Sequence, residues 1–213
     1  AETQASAKIA GLAEYQVLNH HDCEIENTLA AREEVIRIIR NFQPDVVLSH
    51  RNCDYHADHR AIAQLVMDAA YLVKVPLYCA DTPIPAKNPV FAYLYDRFRN
   101  PRPIRADAAV EIDSVLETKL RMMDCHASQF YEWLPWDKGF RDFDASGMSW
   151  EQKKAWLYEK WACRFEAAAD LARHTLCEIY GDAGKTVKCA EIFEFSEYGE
   201  PVSEEEFRNL FLC

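Results

Sequence analysis

Apolar positions in the first part of the chain alternate between two periods. Leu29, Val35, Ile36, Ile39 and Phe42 recur at helical spacing between Thr28 and Phe42, and Pro44 closes that run. Val46, Val47 and Leu48 then form a short continuous apolar stretch, the mark of a buried strand. Ile62, Leu65, Val66, Ala69, Leu72 and Val73 return to helical spacing. Upstream, Ala1 to Gly11 reads as a helix ended by glycine, and Glu14 to Leu18 as a short strand followed by the polar turn His20 to Glu24. Strand, helix, strand, helix is the order of a layered α/β fold.

In the second part, Val90 to Tyr95 and Ala108 to Ile112 predict two more strands, set among loops that carry Pro83, Pro85, Pro89, Pro101 and Pro103. Asp113 or Ser114 caps an expected helix through Leu116, Leu120 and Met123 to His126. The aromatic segment Tyr131 to Trp136 reads as a loop, and Ser149 to Tyr180 as one long helical stretch bearing Trp156, Trp161, Phe165, Leu171 and Leu176. Cys189 to Phe195 alternates as a last strand. No internal repeat interrupts this order, so residues 1–213 read as a single domain with a helical segment toward the C-terminus.

Composition narrows the function classes. A chain of 213 residues that is 49% hydrophobic can bury one full core. Its net charge of −11 carries no electrostatic footprint for nucleic acid or an anionic membrane. No apolar run reaches 18 residues, so none is long enough to span a bilayer as a helix. A small molecule is the default partner. The eight cysteines are scattered, with no Cys-x-x-Cys pair, which predicts reduced thiols and a cytoplasmic protein. Residues Ala1 to Lys8 show neither a basic nor an apolar leader region.

The chemistry concentrates in Asp54-Tyr55-His56-Ala57-Asp58-His59-Arg60, directly after the predicted strand and on the first turn of the next helix, with Asp54 as the expected N-cap. In open α/β sheets ligands bind at that carboxyl edge. His56 and His59, three residues apart, can bracket one point. One imidazole suits zinc, and a second can donate a hydrogen bond to a developing oxyanion. Asp58, between them, suits the orientation of an imidazole. Spacing alone leaves a solvated helix cap open beside a metal or catalytic site. Glu111 and Asp113 read either as paired carboxylates or as a helix cap. Trp133 and Trp136 read either as a sugar-stacking platform or as a cover for the core.

Pro44 to Arg51 followed by Asp54 to Arg60 resembles the second signature of the LmbE/PIG-L zinc-dependent N-deacetylases, usually His-Pro-Asp-His. Lys119 with His126-Ala127-Ser128-Gln129, and Ala190-Glu191-Ile192-Phe193, match further family segments in the same order. The resemblance implies a Rossmann-like three-layer α/β/α fold with a mostly parallel sheet, and removal of the acetyl group from N-acetylglucosamine-type sugars. It implies Zn2+ held by His59. His56 would polarise the amide carbonyl and stabilise the tetrahedral intermediate, and Asp58 would be the acid between them; Ala57 stands where the family has proline. Asp22, Arg51, Asp54, His126 and Gln129 are the implied substrate contacts.

The family's first signature, His-Pro-Asp-Asp-Glu, supplies the other two zinc ligands and the water-activating aspartate, and it is absent from this sequence. His21-Asp22-Cys23-Glu24 is no substitute, because it follows the second expected strand rather than the first. The resemblance therefore implies an N-terminally incomplete domain whose sheet has an open edge, filled by a complementing N-terminal segment or by another copy in a homo-oligomer. Two other readings stand beside the deacetylase. One is a non-catalytic carbohydrate-binding or scaffold protein of the same fold; the other is a different metal hydrolase that joins His59 to His21 and Asp22.

Overall fold

A computed structural model describes residues 1–212. In chain order its elements are α1 (Glu2–Ala10), α2 (Leu29–Phe42), β1 (Val46–Ser49), α3 (Ala57–Leu72), β2 (Val90–Leu94), β3 (Ala108–Glu111), α4 (Leu116–Asp124), α5 (Leu134–Asp137), α6 (Trp150–Leu157), α7 (Cys163–Leu171), α8 (Arg173–Tyr180), β4 (Ala190–Gly199) and α9 (Glu204–Asn209). α2 starts where its sequence says: the Thr28 hydroxyl accepts the Ala31 N–H, satisfying one of the otherwise unpaired donors of a helix start.

The sheet order is β1-β2-β4-β3. β1 and β2 run parallel, pairing Val46 with Val90 through Ser49 with Tyr93. β4 is antiparallel to both of its neighbours, so β1, β2 and β3 share one direction while only β1–β2 is a parallel pair. That qualifies the mostly parallel expectation. The alternating pattern of β4 predicts which residues face inward but carries no information on which strands lie beside it.

Alternation then builds the layers. Ala92, Phe193 and Phe207 bury together on the face covered by α9. On the other face Phe91 packs with Ile36 and Ile39 of α2 and with Ala69, Ala70 and Val73 at the end of α3. Ala109 and Ile192 pack there with Ala168, Ala169 and Leu176 of α7 and α8. Helices thus cover both faces of an α/β sheet, as the sequence predicts.

Three local expectations change. Glu14 to Leu18 is not a strand: it lies exposed off the sheet, and its backbone is tied by a bond from Gln4 Nε2 to the Tyr15 carbonyl at 3.0 Å. A strand needs a neighbour for its ladder, and none of the described strands pairs with it. The long helix from Ser149 is broken into α6, a π turn over Tyr158–Ala162, α7 and α8. Asp113 does not cap α4, because its carboxylate accepts the N–H groups of Lys188 at 2.9 Å and Cys189 at 2.7 Å. Glu111 accepts from the Ser114 N–H at 3.1 Å. Both acids thus serve the backbone rather than forming a carboxylate pair.

α3 carries the histidine segment at its start, and its far end is held firmly. The fully buried Arg40 of α2 donates to the carbonyls of Val73 at 3.0 Å, Cys79 at 2.8 Å, Val75 at 2.8 Å and Leu72 at 3.3 Å. These include the carbonyls a helix end leaves unpaired, where the helix dipole also favours a cation.

Candidate functional site

β1 ends at the buried Ser49, and the chain turns through His50 to Tyr55 into α3. The N-cap is His56, in extended backbone at φ −83° and ψ 134°, with Nδ1 accepting the Asp58 N–H at 3.2 Å. Asp54 is therefore not the cap. It sits two residues earlier, where Oδ1 accepts the His56 N–H at 2.8 Å and Oδ2 lies 3.0 Å from His59 Nδ1. It faces the imidazoles rather than a free substrate space.

Because Nδ1 of His56 accepts a backbone N–H, the proton of its neutral ring resides on Nε2. That N–H points to the side of Asp22 and Cys23, with Cys23 Sγ 3.9 Å away. His56 is thereby a fixed hydrogen-bond donor.

Three imidazoles form a column. His50 stacks on His59 with centroids 4.4 Å apart and planes 10° from parallel, and His56 follows at 4.7 Å and 30°. Burial first, and the charge of a protonated His59 second, push the His50 imidazole below its ordinary pKa, which favours the neutral ring a metal needs. Ligand atoms of His50, Asp54 and His59 all lie within 4.8 Å of one another. Two imidazoles and a carboxylate are a zinc donor set. His59 Nδ1 is buried with no hydrogen bond, since its close approach to Asp54 lacks bonding geometry. The residues fit a metal.

Asp22, Cys23 and His56 form a second close group. It fits a cation poorly, because the nitrogen that His56 turns toward it bears the proton.

Asp58 is buried, and its carboxylate accepts the N–H of Cys23 at 2.7 Å and of Ile25 at 3.3 Å. It fastens the loop before α2 to the first turn of α3 and brings Asp22 and Cys23 beside His56. The expected orienting of an imidazole is done by its backbone N–H, not by its side chain.

Arg51 is a correction. It is buried, forms a two-pronged pair with Asp96 at 2.7 and 2.5 Å, and donates to the carbonyls of Arg102 at 2.9 Å and Phe98 at 3.2 Å. With four of its five N–H groups committed to the loop over residues 96–102 and its side chain buried, it holds that loop rather than facing a substrate. His126 and Gln129 lie at the end of α4, where Ser128 donates to the Glu2 carboxylate through its N–H at 2.9 Å and its hydroxyl at 2.7 Å. Nearby His126 contributes to lowering the pKa of Glu2, after those two bonds. No contact among the described residues joins His126 or Gln129 to the imidazole column. His21 is exposed, and the partners of His59 are His50 and Asp54, which removes the set of His59 with His21 and Asp22. Sequence reasoning missed His50 and Cys23. A histidine in the first position after a strand was the available signal for His50; for Cys23 there was none, because the Asp58 anchor spans 35 residues.

Comparison with known proteins bears on this geometry. Residues 1–70 match the profile of a family described as PIG-L: GlcNAc-PI de-N-acetylase. The likeness to that family thus falls on the part of the chain that holds α1, α2, β1 and most of α3. It is also 28% identical over 145 residues to a diacetylchitobiose deacetylase of Thermococcus kodakarensis, covering 66% of this chain and 53% of that one. The chain thus spans about half the length of this curated relative.

Solved structures share the fold. They include a conserved protein of Thermus thermophilus (TM-score 0.61, 16% identity, 94% of this chain and 74% of that one). An inhibitor-bound N,N'-diacetylchitobiose deacetylase of Pyrococcus horikoshii follows (0.62, 20%, 92% and 61%). A 4-carboxy-2-hydroxymuconate hydratase of Pseudomonas putida is equally similar (0.63, 18%, 95% and 73%). At such identities the likeness shows the fold alone, and the hydratase shows that this fold hosts more than one reaction. Any argument for a particular reaction therefore rests on side chains and not on topology.

Proposed function

We propose that the PIG-L segment builds part of the active site of a zinc-dependent hydrolase that removes the N-acetyl group from an N-acetylglucosamine-type sugar. The observation that carries this reading is the column of His50, His59 and His56 at the carboxyl end of β1, with Asp54 against it. His59, His50 and Asp54 would hold the metal. Bound zinc lowers the pKa of its water to about 7 and polarises a carbonyl.

His56 presents its Nε2–H to the acetamide oxygen as charge builds there. The Asp58 N–H fixes the ring beforehand, so the hydrogen bond forms without reorganisation. Asp22, held beside His56 through the Asp58 anchor, accepts a hydroxyl of the sugar. Water adds to the carbonyl, the C–N bond breaks, acetate leaves and the amine takes the proton. None of the 213 residues carries the family's first signature, so the activity is assayed on the full-length gene product. A small amino sugar as substrate, a complementing N-terminal segment or a second copy as partner, and a cytoplasmic location belong to the same proposal; the free cysteines among the described residues support that location.

The test follows acetate release from N,N'-diacetylchitobiose. Chelation should abolish turnover and zinc restore it. His56→Gln should keep the metal and lose about 100- to 1,000-fold in kcat. Full kcat in that variant, or no acetate released by the zinc-loaded protein, overturns the reading; retained sugar affinity without turnover would favour the non-catalytic alternative.

A further inference from the structure

Trp133 and Trp136 do not cover the core. They are 52% and 51% exposed. Their indoles lie 5.5 Å apart by centroid and 23° from parallel, and the Arg141 guanidinium sits 5.5 Å from the Trp136 ring. The backbone beneath is held in place. Pro135 is buried between them, Lys138 and Gly139 donate N–H groups to the carbonyls of Leu134 and Trp136, and Phe140 donates to that of Pro135 at 2.9 Å. Gly139, at φ 86° with open space around it, makes the tight turn that closes the segment and sends Phe140 against Trp156, 5.6 Å away by centroid. Ser128–Trp133 just before is a π turn, an irregularity that occurs often at functional sites.

We propose that this aromatic surface is a second binding site, non-catalytic and apart from the histidines, for a neutral β-linked oligosaccharide. A pyranose with equatorial hydroxyls turns its axial C–H groups to its faces, and these meet the negative face of an indole. The hydroxyls project sideways, where the neighbouring charged groups Glu132, Asp137, Lys138 and Arg141 offer both acceptors and donors. Two large rings stacked on each other in water form a contiguous apolar patch, which marks an interaction site more than a lone exposed residue does. A membrane fits less well: the acids at 132 and 137, and a net charge of −11, oppose an anionic surface. The inference does not rest on the deacetylase reading.

The experiment titrates the full chain with N-acetylchitopentaose by calorimetry. Trp133→Ala/Trp136→Ala should bind at least tenfold more weakly with an unchanged melting temperature, and Trp133→Phe/Trp136→Phe should keep most of the affinity. Should the double alanine variant fail to fold, protection of exposed indoles from N-bromosuccinimide by the pentasaccharide gives the second readout on the parent. The proposal falls if the parent takes up no pentasaccharide at millimolar concentration, if the folded alanine variant binds equally, or if the indoles instead drive sedimentation with phosphatidylcholine vesicles or self-association of the chain.

Discussion

Two kinds of charged side chain flank β1, and they are finished to different degrees. Arg40 before the strand and Arg51 after it are buried, and both guanidinium groups are surrounded by carbonyls or, for Arg51, by Asp96 as well. At the intervening corner, Ser49 Oγ and His59 Nδ1 are buried without a hydrogen bond. A fold able to satisfy two buried guanidinium groups leaves polar atoms unpaired next to them, and an orphan in a native structure calls for an explanation. Other orphans occur, among them the indole N–H groups of Trp150, Trp156 and Trp161. Among the described residues, only the corner after β1 joins an orphan to three imidazoles and a carboxylate. The arginines hold the frame; the corner is left for something else to complete.

Arg40→Met should produce the largest loss, since it strips the donors from several buried carbonyls at the end of α3, at about 4 kcal/mol. Urea unfolding measures it, and a loss under about 1 kcal/mol would mean that water replaces the guanidinium, erasing its contrast with the corner. Arg51→Ala should cost about 3 kcal/mol by leaving the half-buried Asp96 without its cation, with only the Phe98 N–H still donating to it. Zinc affinity should change little in that variant. Weaker sugar binding at undiminished stability would instead return Arg51 to the substrate site.

The satisfied frame also has a pH signature. Glu194 is 1% exposed; burial pushes its carboxyl pKa up, but the bonds from Arg102 and from the Arg105 N–H, with their charges, hold it below the ordinary 4.5. A carboxylate depressed in the folded state adds stability that is complete above about pH 4.5 and is lost as the pH falls through the folded value. Glu194→Gln should therefore cost about 2 kcal/mol at pH 7, and the gap to the parent should narrow as the pH falls below about 4.5. An acid limb of equal steepness in both proteins would sink the assignment.

What the sequence made legible follows from the range of the interactions involved. The helical spacing of α2 and α3, the strand at β1 and the pairing of His56 with His59 are local, and they appear where the pattern puts them; β1 is nonetheless an edge strand and not buried as its apolar run predicts, for Val46 and Val47 are half-buried and Leu48 is 42% exposed. Asp58 was recognised as important, yet its role depends on the N–H groups of Cys23 and Ile25, 35 and 33 residues away, which spacing cannot reveal. Arg51 was misread for the same reason: a guanidinium beside a motif looks available until Asp96, 45 residues on, is seen to occupy it. The insertion of β4 between β2 and β3, and the π turns that break the helix after Ser149, depend on neighbours and on packing rather than on periodicity.

The smallest stability effect belongs to the residue on which the comparison turns. His59 has a side chain that is 39% exposed, and its Nδ1 makes no hydrogen bond, so His59→Ala removes little that holds the chain together. Its unfolding free energy should stay within about 0.5 kcal/mol of the parent, and relief of an unsatisfied polar atom can even turn the change favourable, as happens where a site is tuned for function at the expense of stability. Zinc affinity should fall by about a hundredfold or more, since even the residues behind metal ligands are worth about 10- to 100-fold. Metal-free protein should melt alike in both forms, and zinc should raise the melting temperature of the parent alone. If His59→Ala instead destabilised the metal-free protein as much as the arginine variants do, the corner would be frame like its flanks, and the orphaned nitrogen would no longer mark a ligand.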